Sequence, residues 1–247
     1  MKKKILSLTI GPVLVLGLIT IVLMLTMVKD SMIDEVQEAL KGTAAATLAA
    51  YDQNTGDYIE SSNGDIWKGS YNISKSESLV DRIKENSGMD VTFFYGDRRI
   101  MTSALDDNGE RILNSPAGER IVEKVLNGGE EYFSKAVSLE GELNYGYYMP
   151  VYKNGTTDQI IGMVFVGTDK KLKDAVVNKI LGSIILAVCI VMLICIVVGA
   201  KLSTSMTKNI KVSIGVVSKV ADGDLNVWVD DLSLIHISEP TRRSYIS

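Results

Sequence analysis

DVTFFYGDRRIMT, from Asp90 to Thr102, contains two strand-like runs in this chain of 247 residues. Two runs of β-branched and aromatic residues, Val91 to Tyr95 and Ile100 to Thr102, flank the pair Gly96-Asp97. Such runs are typical of strands, and glycine beside aspartate is typical of the turn between them. The stretch therefore predicts two antiparallel strands joined by a short turn.

Strand patterns continue along the chain after this hairpin. They predict three further strands, at Tyr132 to Leu139, Leu143 to Tyr152 and Gln159 to Thr168. Asn154-Gly155, between the last two, is a strong signal for a hairpin. Ahead of these strands, Ser115-Pro116 predicts the start of a short helix and Gly128-Gly129 predicts its end.

Helical patterns dominate the part of the chain that precedes the first hairpin. Apolar residues spaced by three and four between Ile33 and Tyr51 predict a long helix. Asp52 to Ser74, a mixture rich in Gly, Asn and Ser, is predicted to be an ordered irregular loop. Ser74 to Glu77 has capping-box spacing and predicts a second helix, which Gly88 ends. Strands paired by hairpins, with helices segregated to one side, predict an α+β domain.

Two long runs without a charged residue, Ile5 to Val28 and Ile180 to Ala200, enclose this domain. Each exceeds the roughly 20 apolar residues that a helix needs to cross a hydrocarbon core. The first follows three lysines, as a signal peptide would, but it is longer than the apolar part of a signal peptide and lacks a small-residue cleavage site. We therefore predict two transmembrane helices, at 5–28 and 180–200, and the first is expected to be an uncleaved anchor.

Lysines at the outer ends of both runs predict the orientation. Lys2 to Lys4 precede the first run, and Lys201 follows the second. Because positive residues stay inside, residues 1–4 and both termini are predicted to be cytoplasmic, and residues 29–179 to lie outside the cell. The expected location is the plasma or inner cell membrane, crossed more than once.

The composition and the motifs argue against several functional classes. No basic stripe indicates a nucleic-acid partner. Cys189 and Cys195 both fall inside the second apolar run, so they are expected to act as small apolar residues and the outer domain has no disulfide. The sequence shows no nucleophile–base pair, no Gly-rich phosphate loop and no metal-ligand cluster. It therefore predicts no catalytic residue, no metal, no cofactor and no enzymatic activity.

Seven short motifs between Tyr51 and Thr168 carry a family resemblance. They are Trp67-Lys68-Gly69, Asn72-Ile73-Ser74, Asp90 to Phe94, Gly96 to Thr102, Gly109 to Arg111, Tyr147 to Pro150 and Ile161 to Gly167. In this order they resemble the single Cache domain, the PAS-like extracellular sensor domain of bacterial chemoreceptors. The chain departs from the family at Asn114-Ser115, where Gly-Thr is usual. The resemblance implies an antiparallel sheet with a long N-terminal helix.

The resemblance also implies a ligand pocket over the sheet, mostly apolar with a few polar groups. A guanidinium can bind a carboxylate through two hydrogen bonds, so a small extracellular carboxylate or amino acid is the expected ligand. The candidate ligand-binding residues are Arg99, Thr102, Arg111, Tyr132, Tyr145 and Tyr147. Among them, Arg111 has the position at which the family lines its pocket. Alternatively, the tyrosines belong to the core and the arginines pair with Asp97, Asp106 or Glu110.

After the second apolar run, residues 201–231 resemble the first half of a HAMP domain. An a/d seam for packing against a second helix is formed by Ile210, Ile214, Val217 and Ala221. The stretch from Ala221 to Leu225 matches the family where this helix ends. A juxtamembrane amphipathic helix is the alternative interpretation. Because a single chain would leave the seam in water, we expect a homodimer.

The final stretch, residues 232–247, fits nothing before it and contains the only histidine, His236. Leu232 to Arg242 resembles the translation of a transposase-based sequencing adapter, and the last residues fit the index and flow-cell sequence that follow such an adapter. We therefore expect an artefact of sequencing, in which His236 is neither a metal ligand nor a general base. Resequencing the locus should reveal a reading frame that continues from about Asp231 into a second HAMP helix, whereas a native stop codon after Ser247 would contradict this.

Together these patterns predict a receptor of the methyl-accepting chemotaxis type. It would sense a small extracellular molecule and pass the signal through the second transmembrane helix to the HAMP domain. A cytoplasmic chemotaxis kinase and a coupling protein would bind only through a C-terminal part that this sequence lacks. Two alternatives stay open: the input half of a sensor histidine kinase or diguanylate cyclase, and a membrane anchor protein that senses nothing. A Cache cavity filled by side chains would favour the anchor.

Overall fold

The computed structural model describes residues 2–139, 141–154 and 156–223. Its helices are α1 (Lys2–Asp52), α2 (Glu77–Ser87), α3 (Glu119–Ile121, followed by a π-helix over Val122–Asn127) and α4 (Lys170–Ala221). A 3₁₀ turn covers Ile73–Lys75. The strands are β1 (Tyr58–Glu60), β2 (Ile66–Lys68), β3 (Tyr71–Asn72), β4 (Asp90–Tyr95), β5 (Arg98–Thr102), β6 (Tyr132–Leu139), β7 (Glu142–Tyr152) and β8 (Ile160–Asp169).

Five strands form the main sheet in the order β5-β4-β8-β7-β6, and every neighbouring pair is antiparallel. The hairpin of β4 and β5 pairs Thr92 with Thr102, and the edge strand β6 has an irregularity between Ser134 and Val137. The predicted strands agree with the observed ones to within one or two residues at their ends. The α+β class and the β7–β8 hairpin are therefore confirmed, although its predicted turn residue Gly155 lies outside the described residues.

Gly162 allows the central strand β8 to approach β4 closely. It pairs with Tyr95 on one side and with Val151 on the other. A Cβ atom at this position would lie 2.0 Å from the carbonyl oxygen of Phe94. The pairing of the three inner strands therefore depends on the absence of a side chain here.

One face of the main sheet packs against α1. Leu40, Ala44 and Tyr51 of the helix are buried in one apolar cluster with Phe93 and Val164 of the sheet. The rings of Tyr51 and Phe93 meet edge to face, with centroids 5.2 Å apart, an arrangement that aromatic pairs favour. The long N-terminal helix expected from the apolar spacing is confirmed, and it covers this face.

The other face of the sheet carries a smaller apolar cluster. Phe94, Tyr148, Met163 and Phe165 pack there with Val125 of the π-helix. The ring centroids of Tyr148 and Phe165 lie 4.8 Å apart. The π-helix covers only part of this face, so an open space is left between α3 and the edge strand β6.

The stretch from Asp52 to Ser74 differs from the prediction. Instead of an irregular loop, it contains a second antiparallel sheet in the order β1-β2-β3. These strands have only two or three residues each. Strands this short cannot show an alternating pattern, so no such pattern marks them in the sequence.

Two predicted helix starts are wrong, and in both cases the predicted residues make strand contacts instead. The Ser74 side chain accepts a hydrogen bond from the first backbone N–H of β2 at 2.9 Å, and α2 begins after Ser76. Pro116 pairs with Arg98 as an isolated β-bridge, and α3 begins three residues later. The predicted end of α2 is confirmed, because Gly88 adopts the left-handed conformation with φ 69°.

Among the described residues, two helices are long and apolar enough to cross a membrane, within Ile10–Asp52 and Lys170–Ala221. Only 6% of the apolar window of each is buried, so these surfaces are not part of a protein core. The chain divides into one compact unit from Met24 to Ser183 and another built from the segments before and after it. Two long apolar helices therefore flank the sheet domain.

In its described part, the second unit is helical from residue 2 to 23 and from 184 to 221. α1 and α4 contact each other there at Gly17, where a Cβ atom would lie 2.0 Å from the Met192 sulfur. Towards the end of α4, Ile214 and Val217 of the expected seam are 55% and 67% exposed. The region from Asp224 onwards, with the rest of the predicted HAMP segment, the tail and His236, lies outside the described residues, so the expectations there stay predictions.

Candidate functional site

A cleft of about 440 Å³ lies on the face of the main sheet that α1 does not cover. Its floor is formed by Phe94, Arg99 and Tyr148, from β4, β5 and β7. The segment from Pro116 to Ile121 and the start of β6, beginning with Tyr132, form its walls. The cleft therefore combines an aromatic floor with a cationic side chain.

Strand geometry explains how Arg99 reaches the cleft. Arg99 pairs with Phe94 in the β4–β5 hairpin, so the two side chains lie on the same face. The guanidinium carbon of Arg99 lies 5.5 Å from the centroid of the Phe94 ring. At this distance the cation is attracted to the face of the ring. The side chain is thus held over the floor of the cleft.

Backbone contacts fix the strand that carries Arg99. Its N–H donates to the carbonyl of Ser115 at 3.1 Å, and its carbonyl accepts from the N–H of Asn114 at 2.8 Å. Asn114 has φ 60°, the left-handed conformation that glycine adopts freely and asparagine tolerates. Asn114 and Ser115, where this chain departs from the family pattern, therefore bond this segment to the edge of β5.

Tyrosine hydroxyl groups supply further polar contacts in the cleft. The rings of Tyr132 and Tyr148 have centroids 6.4 Å apart. Burial raises the pKa of Tyr148, while the charge of Arg99 acts in the opposite direction. The hydroxyl of Tyr148 is therefore neutral at physiological pH and can donate a hydrogen bond.

The charges around the cleft favour an anion. Among the described lining residues, Arg99 and Arg120 are cationic and Glu119 is the one acid. The guanidinium carbon of Arg120 lies 5.9 Å from the centroid of the Tyr132 ring. A ligand with a carboxylate would meet positive charge from two sides, and the aromatic floor would accept an apolar group.

Thr102 and Arg111, two of the predicted ligand residues, bond to protein groups instead of lining the cleft. The hydroxyl of Thr102 lies 2.7 Å from that of Thr92, and both residues are buried. The guanidinium of Arg111 donates to the Thr102 carbonyl and to the carboxylate of Asp81 on α2, both at 2.6 Å. The partner of Arg111 is thus Asp81 and not the expected Asp106 or Glu110.

Tyr145 and Tyr147 lie on the opposite face of β7, towards the helices that lead to the apolar segments. The hydroxyl of Tyr145 donates to Asp174 of α4 at 2.7 Å. That of Tyr147 donates to the carboxylate of Glu131. The structure therefore brings Arg99 and Tyr132 together in one cleft and places the other four predicted residues elsewhere.

Three cleft residues were missed by sequence reasoning: Phe94, Tyr148 and Arg120. Tyr148 follows Tyr147 directly, and neighbouring residues of a strand point to opposite faces. The alternation therefore separated the two tyrosines correctly, but it did not indicate which face borders the cleft. The sequence carries no comparable signal for Arg120, which lies on α3.

Residues 71–180 match the sequence profile of the family described as single cache domain 3. These residues belong to a Cache-like domain. Its antiparallel sheet and long N-terminal helix agree with what the sequence motifs implied. A comparison with curated proteins gave no match.

Several solved structures resemble this chain at low sequence identity. The ligand-binding domain of the Campylobacter jejuni chemoreceptor Tlp3, in complex with L-valine, is 12% identical with TM-score 0.42. That match covers 72% of this chain and 66% of the Tlp3 domain, just under two thirds of its length. The sensor domain of E. coli DcuS is 14% identical with TM-score 0.37, covering 62% of this chain and 98% of DcuS. An extracellular ligand binding receptor from Desulfohalobium retbaense is 15% identical with TM-score 0.39. That match covers 60% of this chain and 26% of the receptor chain.

Proposed function

We propose that the chain is the input part of a transmembrane receptor whose Cache domain binds a small carboxylate or amino acid. The observation that carries this proposal is the position of Arg99, over the aromatic floor of an open cleft of about 440 Å³. Because the cleft is not filled by side chains, the domain has room for a ligand, which argues against a purely structural anchor.

The chemistry of the cleft supports this ligand class. The guanidinium of Arg99 can bind a carboxylate through two parallel hydrogen bonds. Tyr132 and Tyr148 line the cleft and offer hydroxyl groups as hydrogen-bond partners, and Phe94 offers apolar contact. A pocket with apolar walls and a few fixed polar groups is typical of small-molecule sites.

The two apolar helices support a membrane location with the Cache domain outside the cell. Lysines at their outer ends favour cytoplasmic termini. The exposed Ile214 and Val217 favour a homodimer in which HAMP helices pack together. On this proposal the receptor belongs to the methyl-accepting chemotaxis type and engages its kinase and coupling protein through a cytoplasmic signalling domain.

The ligand proposal is tested with the full chain in lipid nanodiscs. A panel of small carboxylates and amino acids should include a compound that raises the thermal unfolding temperature in a concentration-dependent way. Arg99→Gln should weaken its binding by about ten- to hundredfold, because hydrogen bonds to a charged group contribute about 1.5–3 kcal/mol. Calorimetric titration would measure this change.

Arg98→Gln is the matched control. Arg98 directly precedes Arg99 on β5 and forms an ion pair with Glu60 at 2.6 Å, outside the cleft. It should leave ligand affinity unchanged. Arg111→Gln tests the earlier expectation for Arg111 in the same assay. Loss of binding in Arg111→Gln with normal binding in Arg99→Gln would place the ligand outside this cleft and refute the assignment.

A further inference from the structure

A second cavity, of about 400 Å³, lies at the end of the Met24–Ser183 unit where both long helices become apolar. Its lining comes from the Lys29–Ile33 segment of α1, from Lys135 of β6 and from α4 between Lys170 and Asn178. None of these residues lines the Arg99 cleft. It is therefore a separate site on the opposite face of the sheet.

The height of this cavity relative to the apolar runs follows from helix geometry. Lys29 is the first charged residue after the run that ends at Val28, and Asn178 precedes Ile180 by two residues. At a rise of about 1.5 Å per residue, Asn178 lies only about 3 Å from the start of the second run. The polar layer of a bilayer is roughly 5–8 Å thick on each side. If the helices span the membrane, the part of the cavity nearest the apolar runs, at Lys29 and Asn178, therefore lies at the depth of lipid headgroups.

The cavity contains more positive charge than its own carboxylates neutralise. Lys170 is engaged, since it lies 3.3 Å from the carboxylate of Asp174 and donates to the hydroxyl of Tyr145 at 2.8 Å. Lys29 and Lys135, in contrast, have no carboxylate within 4 Å among the residues that the structure describes. Asp30 also lines the cavity, so its three lysines and two carboxylates leave a net charge of +1, and Lys29 and Lys135 are the lysines without a paired carboxylate among the described residues.

We propose that this cavity binds a phosphate group, and that the phosphate is the headgroup of an anionic phospholipid in the outer leaflet. The proposal rests on the transmembrane orientation argued above, but it does not depend on what the Arg99 cleft binds. Ammonium groups bind phosphate as point charges, and basic pockets between transmembrane helices are suited to anionic headgroups.

The lining also favours a lipid over a free phosphate ion. Ile33 and Val177 place apolar side chains beside the lysines. A glycerol backbone and the first methylene groups of an acyl chain would lie against these residues, with the rest of the chain in the hydrocarbon layer. A free phosphate ion would gain nothing from this apolar part of the cavity.

The test uses the full chain in detergent, titrated with phosphatidylglycerol or with phosphatidylcholine, and native mass spectrometry to count retained lipids. The chain should retain phosphatidylglycerol in preference to phosphatidylcholine. Lys29→Gln with Lys135→Gln should weaken this retention by about thirtyfold, since each lysine near an anionic surface contributes about a factor of five. Replacing the same two lysines by arginine should preserve retention.

The matched control is Lys171→Gln with Lys179→Gln, which removes the same charge from exposed positions of α4 outside the cavity. Equal weakening in both double variants would indicate general surface attraction and overturn the site. Displacement of the lipid by millimolar inorganic phosphate would show that the phosphate alone is recognised and overturn the lipid assignment. Binding of the carboxylate ligand, measured on the same samples, reports separately on the Arg99 cleft.

Discussion

The carboxylate of Glu131, which precedes β6, joins three parts of the sensor domain. It accepts hydrogen bonds from the hydroxyl group of Tyr147 on β7 and from Lys41 of α1, the latter at 2.7 Å. Burial and this contact with Glu131 raise the pKa of Tyr147 to about 12. The hydrogen bonds from Lys41 and Tyr147 hold the pKa of Glu131 below its ordinary value of 4.5. The carboxylate is thus stabilised in its ionised form.

A pH-dependent loss of stability is expected for Glu131→Gln. Because the folded state favours the ionised carboxylate, its contribution is fully present above a pH of about 4.5 and disappears as the pH falls through the lowered pKa of the folded state. Urea unfolding of the solubilised chain, followed by tryptophan fluorescence, should show the variant less stable at neutral pH and equal to the parent in strong acid. A difference that persists undiminished in acid would contradict this account.

Tyr147→Phe separates the two hydrogen bonds of this carboxylate. It removes the hydroxyl group but leaves the contact between Lys41 and Glu131 in place. We expect a loss of about 1 kcal/mol in the free energy of unfolding at neutral pH, the usual contribution of one hydrogen bond. The same urea titration measures it, and an unchanged unfolding midpoint would show that the hydroxyl contributes nothing.

At the scale of single elements, two glycines should respond oppositely to alanine. Gly162→Ala would place a Cβ atom 2.0 Å from the Phe94 carbonyl oxygen in the middle of the sheet. We expect it to lower the free energy of unfolding by about 3 kcal/mol. Gly42→Ala is the control, since no atom lies within 4 Å of its Cβ position on α1. This variant should raise the free energy of unfolding by roughly 0.5–1 kcal/mol, because alanine restricts the unfolded chain and favours a helix. A tolerated Gly162→Ala would mean that β4 and β8 are not paired as described.

The elements show what the sequence could and could not predict. The five strands of the main sheet were found because each carries a long apolar or alternating run, and α1 because its apolar spacing is continuous. The small sheet was missed because its strands are too short for a pattern. Ser74 and Pro116 resemble helix starts, but tertiary strand contacts determine their conformation.

Of the six predicted ligand residues, Arg99 and Tyr132 line the candidate cleft, and both were chosen from residue chemistry and position. Their role in binding a ligand stays a prediction. Tyr145 was chosen on the same grounds, yet its hydroxyl bonds to Asp174, which lies 29 positions further along the chain. Which face of a strand borders an open space depends on where distant helices pack, and local alternation contains no information about that.

At the scale of the whole molecule, α4 is the route by which a ligand signal would leave the Cache domain. It begins directly after β8 and continues to Ala221. Packed helices move by about 1–2 Å between two arrangements in such switches. A ligand can drive the movement only if it binds the two arrangements with different affinity.

Insertion of three glycines after Asp174 should abolish the ligand response of this chain when it is fused to a cytoplasmic signalling domain. The insertion leaves the contact between Tyr145 and Asp174 intact, so ligand affinity should be unchanged. Kinase activity as a function of ligand concentration measures the response. An insertion of seven alanines at the same point, about two helical turns, preserves helical continuity and should retain the response. A normal response with three glycines would exclude α4 as the route.

The two edges of the main sheet bear on how the domain behaves when many copies are crowded together. An exposed edge strand can recruit a strand of a neighbouring molecule and start aggregation. Here the edge of β5 is bonded by Asn114 and Ser115, and β6 has an irregular register with the charged Lys135 at its break. Both edges are poor templates for intermolecular strand addition. The domain can therefore be concentrated, as for crystallisation, without its sheets joining those of neighbouring molecules.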